Sequence, residues 1–417
     1  MWLHNATVRN VNRALKEINA FEYEGDYRPA ARQAIKEILQ DSHASELDEY
    51  LGRGWYERRS EEDTRDYRNG TYKRRFLTEL GEVELRLNRT RRRFLSRVLQ
   101  SYARRAVHID RLILTCFVLG MSTRKVAEAL LPLLGRKISP QLVSNITKQL
   151  DEHVALYHAR PVEDRYRFLF FDGVTLTHKG AAKVQKRIIL CAYGITDDGK
   201  HEIIDFLIAS SESQGAWEGF LNDLYKRGLE GKGVELIVTD GCPGLLAALE
   251  IVYARIPRQH CWAHKARNVL EKVPKRQRAS VKRELNRISH AHTRQEATHC
   301  FWSFSQKYRK LYPRAVASLE KHIDDLLVFF QVKVPLEELR GLTPEQKQEA
   351  QMKLWKQLRT TNLIERAFRE VRRRTRAMGV FNNIQSMERI LFAVFYHLNH
   401  SNDEDENKPL FEFTQNA

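Results

Sequence analysis

Cysteine is scarce in this chain. Five cysteines, Cys116, Cys191, Cys242, Cys261 and Cys300, are scattered through 417 residues, odd in number and without a Cys-x-x-Cys pair. A disulfide framework is therefore not expected, and a reducing compartment fits the chain better. Long apolar runs are missing too. None approaches the ~20 residues that span a bilayer, and the opening Met-Trp-Leu-His-Asn is not the apolar core of a secretion signal. A soluble intracellular protein with no membrane partner is the expectation. Acidic charge is in deficit: 70 Lys and Arg face 53 Asp and Glu, a net charge of +17. That excess suits a polyanion, nucleic acid first. It also suits a merely soluble basic protein, but the arginines cluster, which favours the polyanion. The composition is not that of a disordered chain, being 42% hydrophobic and 10% aromatic, and the length allows roughly two to four domains.

What the chain does contain is organised around Leu236 to Asp240, a run of Leu-Ile-Val-Thr that ends in an acid. Such a run reads as a buried strand. Gly241, Pro243 and Gly244 then turn the chain, and Leu245, Ala248, Leu249 and Val252 repeat at helical spacing. Strand, acid, tight turn and helix hold a carboxylate rigidly at the rim of an α/β sheet. Many α/β proteins end a strand in Asp, so one such acid says little alone. A second stands in a matching context, because Phe168-Leu169-Phe170-Phe171 reads as a strand ending at Asp172-Gly173. Lys186 to Ile195 and His201 to Ala209 read as further strands, with a hairpin signal at Asp197-Asp198-Gly199. Trp217, Phe220, Leu221 and Leu224 mark an amphipathic helix, and a short strand is expected between Ile256 and Trp262. This order matches an RNase H-like α/β fold, in which acids on the first and fourth strands lie side by side. Asp172 and Asp240 occupy those places.

Upstream, residues 1–65 read as a charged helical segment suited to docking or dimerisation. Residues 66–160 read as a mainly helical DNA-binding region. It opens with an Asn69-Gly70 turn signal and an alternating strand from Gly81 to Leu87. Arg89, Arg91, Arg92 and Arg93 follow, as suited to a phosphate backbone as to a solvated linker. Gly120 to Arg124 supplies a helix break and cap, and Ser139-Pro140 opens a helix with Ser at the N-cap and Pro in the first turn. That helix, read as continuing to Leu150, carries Gln141, Ser144, Asn145, Thr147 and Lys148 on its polar side. Helix, turn and helix with these side chains outward is how a helix-turn-helix presents itself to base edges; an ordinary helical hairpin would look similar. Gln141, Asn145 and Lys148 are the candidate readers.

Downstream, residues 161–270 read as the first part of the RNase H-like domain that would hold the acids, a catalytic domain if they act together, and residues 271–355 as a basic, all-helical insertion. Phe301, Trp302, Phe304, Tyr308, Leu311 and Tyr312 read there as a core stripe, with stacking of Trp302 on an unpaired base as the alternative. Residues 335–352 read as a surface excursion. Residues 356–400 return to the catalytic domain. Thr361 or Asn362 is placed to cap a helix whose first turn holds Glu365, where the helix dipole favours a carboxylate. Arg366 follows, and Arg369, Arg372, Arg373 and Arg376 share the face of Glu365, with only Glu370 nearby as an ionic partner. That imbalance favours phosphate contact over a salt-bridged solvent face. Residues 401–417 read as a frayed acidic tail.

Three acids so placed, Asp172, Asp240 and Glu365, suit two divalent cations roughly 3.5–4 Å apart, as in-line phosphoryl transfer requires. Hard oxygen donors select Mg²⁺, with Mn²⁺ as a substitute.

The sequence resembles the Mutator-type transposases of bacterial insertion sequences, in the DDE recombinase group. The resemblance rests on Arg68-Asn69-Gly70, Gly120-Met121-Ser122-Thr123-Arg124, Asp172-Gly173, Glu212, Trp217, Arg227-Gly228-Leu229 and Thr239-Asp240-Gly241. Gln259 to Lys265, Arg267-Asn268, and Thr360 to Arg366 with Arg372 to Arg376 and Gly379 to Phe381 complete it. Leu363 and Asn88 stand where the family commonly has Pro. The resemblance implies Asp172, Asp240 and Glu365 as the catalytic and metal-binding triad. It further implies terminal inverted repeats and target DNA as partners, a homodimer or larger homo-oligomer, and a cytoplasmic, nucleoid-associated location in a bacterium. Cys261 and His264 match the family's Cys-x-x-His signature; with His260 they hint at zinc, but no fourth ligand is spaced for a tetrahedral site. Two other readings stay open: a transposase-derived DNA-binding regulator, and a structure-selective nuclease on the same fold.

Overall fold

The computed structural model describes residues 27–58, 60, 66–92, 94–99, 104–179, 183–376, 380–381 and 383–400. Arg93, Gly379 and the acidic run at 403–406 lie outside these, as do residues 1–26. The chain forms two compact units, the first ending at Gln149 and the second beginning at Leu150. None of the described helices is long and apolar enough to cross a membrane.

In the first unit, helix α1 (Arg28–Leu51) buries Leu47 and Leu51. A hairpin of β1 (Arg68–Thr78) and β2 (Gly81–Thr90) buries Val83, Leu85 and Leu87, the inward positions that alternation predicts. Asn69-Gly70 is not the hairpin turn. It lies within β1 where the register slips between Arg68 and Thr71, and Gly70 takes φ +73°, so the signal marks a bulge. Helices α2 (Val107–Val118), α3 (Thr123–Ala129), α4 (Leu131–Leu134) and α5 (Pro140–Thr147) follow, with α5 packed on α2 and α3. The two expected caps are present: Ser122 Oγ accepts from the Lys125 amide, and Ser139 Oγ from the Leu142 amide. The helix after Ser139 stops at Thr147 instead of running to Leu150. Thr147 faces inward, its hydroxyl donating to the Ser144 carbonyl, so it is not on the polar face.

The second unit opens with α6 (Leu150–Ala159) and contains a five-stranded mixed sheet. Its strands are β3 (Tyr166–Lys179), β4 (Val184–Thr196), β5 (His201–Ala209), β6 (Leu236–Thr239) and β7 (Arg258–His260), in the order β5-β4-β3-β6-β7. The first three form an antiparallel meander, while β6 runs parallel to β3 and β7 parallel to β6. On one face Leu169, Phe171 and Ile237 pack against Trp217, Leu221 and Leu224 of α7 (Gln214–Lys226) and Leu245 and Leu249 of α8 (Pro243–Val252). On the other, Phe206 meets Phe395, which meets Phe368; these belong to α16 (Ile384–His400) and α15 (Asn362–Thr375).

The Arg227-Gly228-Leu229 motif has a structural reason. Arg227 and His158 both bond the buried Asp205 carboxylate. Gly228 takes φ +121°, and a Cβ there would stand 2.4 Å from the Val162 carbonyl oxygen. Only glycine fits both conditions.

Between β7 and α15 lie α9 (Trp262–Glu271), α10 (Arg278–Ser289), α11 (Arg294–Tyr308), α12 (Pro313–Glu320), α13 (Ile323–Leu326) and α14 (Pro344–Leu358). Phe301, Phe304 and Tyr308 are core, but Trp302 is 53% exposed, so the stripe does not bury every aromatic. The excursion at 335–352 is helical in its second half, because Thr343 and Gln346 form a capping box that starts α14.

Candidate active site

β3 and β6 run parallel with Phe171 opposite Thr239, so the next residues, Asp172 and Asp240, stand side by side. Asp172 does not end its strand as the sequence suggests: β3 continues to Lys179 on its pairing with β4, while β6 stops at Thr239. Asp172 is 3% exposed. Asp240 follows the last residue of β6, where Gly241 bends at φ +83° and the Cys242 amide donates to Asp240 Oδ1 at 2.9 Å. Neither carboxylate depends on a flexible loop for its place.

Glu365 arrives from far along the chain through a series of specific bonds. The Cys261 amide donates to the Thr239 carbonyl (2.7 Å), and the Trp262 amide to the Arg359 carbonyl (2.9 Å). The Thr361 amide donates to Cys261 Sγ (3.4 Å), and the Thr361 hydroxyl donates to Asp172 Oδ2 (2.7 Å). Thr361 occupies the N-cap position of α15, yet its side chain makes no cap bond. The expected capping role therefore does not hold: the buried Asp172 carboxylate is within reach, and a hydrogen bond to a charged acceptor is the stronger one. Glu365 then lies in the first turn of α15. Its Oε1 is 3.5 Å from Arg267 and 4.0 Å from His264 Nε2, both on α9.

The electrostatics show how close these groups are. Burial pushes the Asp172 carboxyl up to about 7; the His264 charge and the Thr361 hydroxyl hold it down, while Asp240 and Glu365 push it higher. His264 is pushed up to about 9, first by the neighbouring Cys261 sulfur and then by Asp172 and Asp240, against the opposing effect of burial. The three carboxylates do not close into one tight ligand sphere. The group that does, among the described residues, is His260, His322 and Asp325.

A fourth acid, to which the sequence pattern gives no role, stands beside them. Glu212 lies directly against Gly173, where an added Cβ would stand 1.8 Å from Glu212 Oε1. A Cβ on Gly244 would stand 2.5 Å from the Glu212 carbonyl oxygen. Burial and then Asp240 raise the Glu212 carboxyl above its ordinary range, so it shares the site of the other acids. The signal for it in the sequence is the glycine pair, one after Asp172 and one after Pro243, which leaves room for a side chain from elsewhere.

The signature residues His260, Cys261 and His264 point three ways. Cys261 meets Thr361, His264 meets Glu365, and His260 turns towards His322 and Asp325. Gln259 is fully buried and ties β7 to the insertion, donating to the Leu326 carbonyl and accepting from the Phe329 amide.

On α15, Arg366, Arg369, Arg372, Arg373 and Arg376 are exposed. Glu370 pairs with Arg373 and with the buried Arg374, and the Arg373 bond above all holds its carboxyl down to about 2. Among the described residues, Arg366, Arg369, Arg372 and Arg376 make no ion pair. In the first unit, Gln141, Asn145 and Lys148 are exposed, and Gln141 donates to Asn145 Oδ1 at 2.9 Å. A groove of about 860 Å³ in that unit is lined by Arg74, Arg75, Arg89, Arg92 and Arg104 among others.

The family model described as "Transposase, Mutator family" matches residues 6–404. The transposase for insertion sequence element IS905 of Lactococcus lactis is 30% identical over 374 residues, 89% of each chain. The transposase for ISRM5 of Rhizobium meliloti is 32% identical, over 87% of this chain and 86% of that one. The transposase for IS256 in transposon Tn4001 of Staphylococcus aureus is also 32% identical, over 88% of this chain and 90% of its own length. The chain belongs to the Mutator family of transposases.

Proposed function

We propose that this transposase binds the terminal inverted repeats of its own insertion sequence, cuts the DNA there and joins the cut ends to target DNA, with Asp172, Asp240 and Glu365 as its catalytic acids. The observation that carries this reading is the convergence of the three carboxylates, two from adjacent strands and one from an arginine-rich helix. On this reading the sheet is an RNase H-like core interrupted by the helical insertion, and α3 and α5 act as a helix-turn-helix. The enzyme works as a homodimer or larger homo-oligomer.

The donor set fits two Mg²⁺ ions: it consists of hard oxygens, and burial above all, with Asp240 and Glu365 beside it, holds the Asp172 carboxyl high, a state that added positive charge would relieve. When bound, such a pair supplies neutralising charge at the attacking and leaving oxygens of an in-line displacement, and Mn²⁺ serves in its place. The chain itself does the rest. β3 and β6 fix Asp172 and Asp240 in advance. Thr361 orients Asp172, and Arg267 with His264 holds Glu365 by charge. Arg366, Arg369, Arg372 and Arg376 line α15 with cationic donors for the phosphate backbone that the acids alone would repel.

The test is a Mg²⁺-dependent cleavage assay on a labelled repeat end, with a binding gel as control. Asp172→Asn, Asp240→Asn and Glu365→Gln are each expected to abolish cleavage and joining while keeping the fold and end binding. Near wild-type cleavage by a folded single variant excludes that residue from the triad. Cleavage without a divalent ion overturns the mechanism. Binding with no cleavage by the wild type marks a regulator, and cleavage with no preference for repeat ends marks a nuclease.

A further inference from the structure

A second cluster of ligating side chains lies outside the acids just described. His260 ends β7 and is buried; His322 and Asp325 stand three residues apart at the start of α13. Nδ1 of His322 is 3.4 Å from Asp325 Oδ2, and Nδ1 of His260 is 3.9 Å from the same oxygen. The two imidazole rings are 5.1 Å apart between centroids. One ligand atom from each of the three residues lies within 4.8 Å of the others, which no other trio of His, Cys, Asp or Glu achieves among the described residues.

Bonds of ~2.0–2.1 Å from a tetrahedral ion place its ligand atoms roughly 3.3–3.4 Å apart. The His322–Asp325 separation already has that value, and the His260–Asp325 separation needs only a small rotation. A purely hydrogen-bonded corner explains the arrangement less well, because 3.9 Å is too long for a hydrogen bond, so His260 gains none from the acid it faces. Half of the Asp325 side chain is exposed, which leaves a fourth position open to water. Two imidazoles and one carboxylate select a borderline ion such as zinc over magnesium.

We propose that His260, His322 and Asp325 bind a single zinc-class divalent ion that clips the helical insertion to the catalytic sheet. Its place gives it leverage. The His260 ring packs against Gly241, the residue that turns the chain after Asp240. Gln259 and the Trp262 indole already bond the Leu326 carbonyl of α13, and the ion adds a further tie at that seam. The ion takes no part in the phosphoryl chemistry, and its binding is independent of the proposed triad.

The test is titration of the full-length, chelator-stripped protein with cobalt(II) chloride, read by visible absorption. Wild type is expected to develop the intense band of tetrahedral cobalt, saturating at roughly one equivalent, and zinc chloride is expected to bleach it. The band should be lost in His322→Ala and in Asp325→Ala, both at a solvent-facing corner outside the apolar core, and retained in Asp172→Asn. Zinc should raise the melting temperature of wild type but of neither corner variant. Absence of a saturable band in wild type overturns the proposal. So does wild-type titration by either corner variant, or loss of the band in Asp172→Asn, which would place the ion at the acids.

Discussion

The Thr361 hydroxyl donates to Asp172 Oδ2 at 2.7 Å, joining residues 189 positions apart. Thr361 begins the helix that carries Glu365, so this one bond sets the first acid relative to the third. Thr361 is fully buried, with its amide on the Cys261 sulfur. Any movement of the insertion that shifted α15 would have to break both bonds.

Replacing Thr361 therefore tests the link. Thr361→Val keeps the shape and removes the hydrogen bond that holds the Asp172 carboxyl down, so that carboxyl should rise further. The Mg²⁺ concentration for half-maximal cleavage is expected to increase by about 10-fold or more, in line with other losses of support for a metal ligand. The pH profile should move to the alkaline side. Thr361→Ser should behave nearly as wild type. A Val variant with an unchanged Mg²⁺ titration would remove Thr361 from the site.

Stability should depend on pH in a direction opposite to that of a salt-bridged acid. Asp172 titrates at 3.8 when unperturbed and at about 7 in the fold. Between those values the folded state holds a proton that the unfolded state has lost, so stability falls as pH rises. His264, at 6.5 unperturbed and about 9 folded, stabilises fully below 6.5 and loses that contribution as pH climbs towards 9. Melting temperature in chelated buffer is expected to decline from about pH 5 to about pH 9, and Mg²⁺ should offset the decline above about pH 7 by competing with the Asp172 proton. A melting temperature that climbs with pH in chelated buffer would contradict both assignments.

Gly173 and Glu212 should act as a pair. A methyl group on Gly173 must push the Glu212 carboxylate away from Asp172 and Asp240. Gly173→Ala and Glu212→Gln are each expected to weaken the response to Mg²⁺ by roughly 10–100-fold while repeat-end binding is kept. The double variant should be little worse than either alone, since both remove one carboxylate from one place. Fully additive losses in a Mg²⁺ titration would separate the two residues.

The arginines of α15 should not be equivalent. Removing Arg369, Arg372 or Arg376 is expected to lower the salt dependence of DNA binding by about one unit for each phosphate left without its cation, whatever the sequence. Arg373 should matter less, because Glu370 already holds it. Gln141→Ala with Asn145→Ala and Lys148→Ala should instead reduce the preference for the repeat end over random DNA. Salt-dependence plots and competition gels distinguish these effects. An equal salt slope for wild type and the α15 variants would remove that helix from the phosphate path.

Local features of this fold are legible in the sequence, and features that depend on distant partners are not. β5 spans the His201 to Ala209 that reads as a strand after the Asp197-Asp198-Gly199 hairpin signal. Ser122 and Ser139 cap where their positions predict, because a cap is decided within three residues. Asp172 and Asp240 come together because their strands pair in register, although only Asp240 follows a strand end and β3 runs on past Asp172 to Lys179. By contrast, a threonine at a helix start reads as a cap until a buried carboxylate is brought beside it, as at Thr361. Thr147 turns inward because it stands four residues after Val143 and so shares the buried face of α5 with Val143 and Ile146. Trp302 shares a periodicity with Phe301 and Phe304 but sits at the edge of their stripe, which spacing alone does not resolve. Glu212 is named by the family resemblance, but its place beside Asp240 becomes visible only in the space that Gly173 leaves open.

The insertion leaves the sheet and returns to it at one pinned point, where Trp262 bonds Arg359 and Cys261 bonds Thr361. Synthesis runs in one direction past that point. Asp172 and Asp240 leave the ribosome with their strands, and Glu365 follows only after the whole detour has been translated. On the proposed chemistry, a nascent or prematurely terminated chain holds Asp172 and Asp240 without Glu365 and cannot cut the nucleic acid around it. On that reading, finishing the protein and arming it become a single event, and a stop codon before residue 365 leaves a chain without its third acid.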